Sequence, residues 1–70
     1  MDLLQRTEST VTEVTYTLQH PTEGVIHYKE WRDERGKVID SVTRSKNGFE
    51  INDPVLVEQI WQFVDEHESK

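Results

Sequence analysis

Asp53-Pro54-Val55-Leu56-Val57-Glu58-Gln59-Ile60-Trp61-Gln62-Phe63-Val64-Asp65-Glu66, residues 53–66, reads as a helix from its first pair onward. Asp is a favoured N-cap, since its carboxylate accepts an orphan backbone N–H and faces the positive end of the helix dipole. Pro54 then falls at the first helical position, where a missing N–H costs nothing and φ is already set. At about 100° per residue, Leu56, Val57, Ile60, Trp61, Phe63 and Val64, with His67, fill an arc of roughly 160°. Glu58, Gln59, Gln62, Asp65 and Glu66 occupy the rest. No second segment of helical length shows this period, so the apolar arc needs a sheet to cover.

Upstream runs supply that sheet. From Thr10 to Gln19, Val14, Tyr16 and Leu18 alternate with Glu13, Thr15 and Thr17, as in a half-buried strand. His20 to Gly24 punctuates the pattern, and Val25 to Asp33 resumes it. Asp33-Glu34-Arg35-Gly36 suits a short hairpin loop with Gly36 in the left-handed conformation. Val38 to Ser45 returns, Asn47-Gly48 is a strong turn signal, and Phe49-Glu50-Ile51 has the length of a further short strand. The expected fold is α+β: a three- or four-stranded antiparallel meander with one C-terminal helix on one face, β-β-β-(β)-α. Residues 1–9, polar apart from Leu3 and Leu4, read as a flexible N-terminal arm, and residues 10–68 as a single small domain.

The register of the second hairpin has two solutions. One pairs Trp31 with Ile39 and Tyr28 with Val42, but sets Glu30 against Asp40, a destabilising like-charge pair. A loop one residue longer pairs Lys29 with Asp40 and Trp31 with Val38. Either way Trp31 stands beside an aliphatic residue. Strand alternation puts it on the face away from the helix with Val25, His27 and Lys29, provided that no bulge turns it inward and Leu3-Leu4 does not fold over it. Trp61, at the margin of the helix stripe, reads as a seal on the rim of the core.

Composition narrows the function. The 70 residues carry a net charge of −6 and no cysteine, which excludes a disulfide scaffold and a thiolate zinc site. Residues 1–10 have neither a basic start nor an apolar run, and no stretch is long enough to span a bilayer, so the cytoplasm is the expected compartment. Residues 29–46 hold six of the eight basic side chains, whereas residues 47–69 hold six acids and no base. Net negative charge opposes direct nucleic-acid binding. The histidines lack metal-ligand spacing, no paired carboxylates have a framework for hydrolysis, and no cofactor motif is present, so no enzymatic activity is expected.

The reading that remains is a small non-catalytic protein-interaction module. It would act through a patch of Trp31, Ile39, Val38, Val25, His27 and Lys29, or through a free sheet edge that accepts a strand from a protein partner or a second copy. A monomer or weak homodimer is expected. The alternative is an acidic inhibitor or nucleic-acid mimic acting on a basic partner through Glu50, Asp53, Glu58, Asp65, Glu66 and Glu68.

Overall fold

Alternation and capping build the elements where the sequence places them. The computed structural model describes residues 1–10 and 13–69, and contains four strands and one helix: β1 (Asp2–Thr10), β2 (Glu13–His20), β3 (Gly24–Arg32), β4 (Val38–Ser45) and α1 (Pro54–Glu68). The strands form one antiparallel meander in the order β1-β2-β3-β4. The second strand was expected to begin at Thr10; positions 11 and 12 lie outside the described residues, and Thr10 belongs to β1.

Asp53 caps α1 as its chemistry dictates: its Oδ1 accepts the Val55 N–H at 3.0 Å, and its carbonyl accepts from Val57 N at 3.0 Å. The helix lays Leu56, Ile60 and Val64 onto Val14, Tyr16, Leu18, Ile26 and Tyr28, which together form the buried core. Phe63, Ile51, Leu3 and Met1 pack around it. His20 is buried between the β2–β3 turn and the helix. Its Nδ1 accepts the backbone N–H groups of Thr22 and Glu23, which leaves Nε2 to donate to Gln59 Oε1 at 3.2 Å.

Two expectations need correction. Residues 1–9 are no arm: Asp2–Thr10 is an edge strand paired with β2, and Leu3 faces the core opposite Leu18. The strand is hard to read because its pairing is interrupted between Leu3 and Gln5 and again between Glu8 and Thr10, which breaks any simple alternation. Phe49–Ile51, by contrast, makes only an isolated bridge, Arg44 to Glu50.

The second hairpin follows the first anticipated register at its loop, where Arg32 stands opposite Val38 and Asp33 N donates to Lys37 O, and departs from both anticipated registers beyond Ile39. Pairing runs Tyr28↔Thr43, Lys29↔Val42, Glu30↔Ser41 and Trp31↔Asp40, then jumps to Arg32↔Val38. Ile39 is the extra residue of a bulge. The one-residue shift removes the Glu30–Asp40 clash and puts Thr43, not Val42, beside Tyr28 on the helix side. The Asp33–Lys37 loop closes with Asp33 Oδ1 accepting from Arg35 N and Lys37 N, and with Gly36 at φ 82°.

Both sheet edges are modified. On β4, Ser45 N donates to Phe49 O and Ile51 N to Thr43 O, each at 2.8 Å, so the outer side of that half is already occupied. Further along, Asp40 Oδ1 takes the N–H of Ser41 at 2.8 Å.

Candidate functional site

Period-two alternation along β3 sends Ile26, Tyr28 and Glu30 to the helix side and Val25, His27, Lys29 and Trp31 to the open side. Trp31 is half-buried there. Its cross-strand neighbours are Glu13 and Asp40, and Lys29 Nζ lies 5.7 Å from its ring centroid while also pairing with Glu13 at 2.8 Å. The ring is thus bordered by charge, whereas the sequence put an aliphatic residue beside it. Val38 is opposite Arg32 and belongs to the helix side, Ile39 is the exposed bulge residue, and Val25 lies at the far end of β3, roughly 20 Å from Trp31 along the strand. Of the expected patch, the structure brings together Trp31, Lys29 and His27. Val42 joins them in a cleft of about 400 Å³ that also includes Arg44 and Lys46.

A second apolar surface, not anticipated as a site, runs between β4 and α1. Trp61 is 48% exposed and Val38 43%. Two clefts meet at Trp61 and Ser41: one of about 540 Å³ bounded by Ile51, Pro54 and Val57, the other of about 290 Å³ bounded by Val38, Tyr28 and Val64. The helix positions Trp61 one turn beyond Val57, so its ring stands over the gap left where the sheet ends at β4. Glu50 and Glu58 border the larger cleft and Asp65 the smaller one. The signal for this groove was present in Trp61 at the edge of the helix stripe. What concealed it was the hairpin register, which decides that Val38 lies on the same side.

The acidic residues divide by role. Asp53 serves as the helix cap, whereas Glu50, Glu58, Asp65 and Glu66 are exposed. Glu68 is bound within a polar cluster that closes one end of the core. It accepts hydrogen bonds from Arg6 Nε, at 2.8 Å, and from the Tyr16 hydroxyl, with Arg32 Nη2 3.5 Å away. Arg32 Nε in turn binds the buried Glu30 at 2.5 Å, and its Nη2 donates to Tyr16 Oη at 3.1 Å. Burial would raise the Glu68 carboxyl, but the bonds from Tyr16 and Arg6 outweigh it and hold the group below its usual value. Burial, followed by the Glu68 bond, pushes the Tyr16 phenol up to about 12. Each arginine faces a carboxylate and the phenol stays protonated, so the cluster ties β1, β2, β3 and the end of α1 together.

Among the described residues no group of three or more His, Asp or Glu side chains could hold a metal ion. No helix there is long and apolar enough to cross a membrane. Comparison with protein-family models, with curated proteins and with solved structures finds no match.

Proposed function

We propose that this chain is a small non-catalytic protein-interaction module whose binding surface is the groove between β4 and α1. The observation that carries this reading is the position of Trp61, an exposed aromatic between two adjoining clefts with Val38 beside it. Trp presents a large contact area with few rotatable bonds, which is why it is enriched at interface hot spots. The rim acids Glu50, Glu58 and Asp65 indicate the partner's chemistry: an apolar segment flanked by lysine or arginine. Side-chain burial in the groove is favoured over strand addition, because the open half of the β4 edge carries a bulge at Ile39 and the Asp40–Ser41 clamp.

Selection of displayed peptides against the folded protein tests the proposal. Enriched sequences are expected to combine an aromatic or aliphatic anchor with basic flanks, to lose binding in Trp61→Ala and to keep it in Trp31→Ala. Enrichment of acidic peptides, or binding indifferent to Trp61→Ala, contradicts it. Binding that collapses in high salt yet tolerates Trp61→Ala would instead support an acidic surface that imitates nucleic-acid phosphate through Glu50, Glu58, Asp65 and Glu66.

A further inference from the structure

The open face of the sheet departs from the charge of the whole. The chain carries a net charge of −6, yet the cleft beside Trp31 is lined by Lys29, Arg44, Lys46 and His27; the neighbouring acids, Glu13 and Asp40 across from Trp31 and Glu50 across from Arg44, are not among its described lining residues. These groups come together because Lys29 pairs with Val42 and His27 with Arg44 across β3 and β4, and because Lys46 follows two positions later. Lys29 is balanced by Glu13, but Arg44 and Lys46 make no ion pair among the described residues. Arg44 is also held in place: Nη1 donates to Gly48 O at 3.1 Å, which orients the guanidinium and leaves other N–H donors for a ligand. The floor is apolar, formed by Trp31 and Val42.

We propose that this cleft binds a mononucleotide-class ligand, with a flat base on Trp31 and its phosphates among Arg44, Lys46 and Lys29. The Lys29 ammonium over the ring marks the face where a base would stack. Its flexible stem lets it swing towards a phosphate as the base enters. Planar guanidinium matches phosphate geometry in a bidentate way, and Lys46 adds a mobile point charge. At about 400 Å³ the cleft has room for a ligand of this size. The overall negative charge repels a long phosphate backbone. This site lies on the opposite side of the sheet from the Trp61 groove and does not depend on it.

Two-dimensional amide NMR at low salt tests the site, with ATP, inorganic triphosphate and adenosine as separate probes. ATP is expected to give saturable shifts at Lys29, Trp31, Val42 and Arg44, and to bind at least about tenfold more weakly to Arg44→Ala/Lys46→Ala, a variant of two exposed side chains. Triphosphate and adenosine should each bind less tightly than ATP. Trp31→Ala, if it retains the dispersion of the core signals, should lose the advantage of ATP over triphosphate. Four results would overturn the proposal: no saturable shift with ATP, undiminished ATP binding by the double variant, triphosphate binding as tight as ATP, or ligand-free shifts that grow with protein concentration and map jointly to this face and to Glu58 and Asp65. The last would identify a second copy's acidic helix as the occupant.

Discussion

Glu68 occupies a position that helix electrostatics disfavours, the final residue of α1, where the dipole presents its negative end. Arg6, Arg32 and the Tyr16 hydroxyl reverse that preference locally. Replacing it, Glu68→Gln, should cost about 1 kcal/mol at neutral pH in urea unfolding, a value discounted for the partly exposed flank of the pair. The pH dependence follows from the direction of the shift. A carboxyl with a folded-state pKa below its ordinary 4.5 contributes stability that is complete above that value and is lost as the pH falls through the lower one. Wild type and Glu68→Gln should therefore converge in acid. Tyr16 acts at the other limit: held protonated up to about 12, it favours the fold below pH 10 and ceases to do so as the pH rises between the two values. Alternation alone was enough to place Tyr16 in the core. Its polar partners were not legible, because they stand 52 positions away at Glu68 and 16 away at Arg32 and meet only through the tertiary fold.

At the level of elements, legibility followed the strength of the apolar period. Helix α1 and the inward faces of β2 and β3 were readable from Leu56, Ile60 and Val64 and from Val14, Tyr16, Leu18, Ile26 and Tyr28, which are the buried residues of the core. Strand β1 was not, since Leu3 is its sole apolar residue packed on the core and the bulges interrupt the rest. The Ile39 bulge misled the reading in the same way: one unpaired residue moves every later side chain of β4 to a different partner. Removing residues 1–10 distinguishes an arm from a strand. The truncated chain is expected to lose most of its amide dispersion and its cooperative thermal transition, because deletion strips the outer ladder of β2, uncovers Leu18 and removes Arg6 from Glu68. An arm would leave both unchanged.

For the whole molecule, one core joins the sheet to the helix, so no part has a separate reason to stay folded. Urea unfolding followed by tryptophan fluorescence and by far-ultraviolet circular dichroism should give coincident midpoints. Displaced midpoints would mean that α1 and the meander melt independently. The sheet has a different chemical character on each side: a helix and an acid-rimmed apolar groove on one, a basic cleft on the other. Its margins have a consequence of their own. Fibre growth needs an unbroken row of backbone groups onto which the next chain can crystallise, strand upon strand. Here β1 is interrupted twice, and β4 is divided between a segment of its own chain, a bulge and a carboxylate clamp. A concentrated solution of this protein therefore has no straight template to copy, and its protection against cross-β fibrils is written into the irregularities that made its pairing hard to foresee.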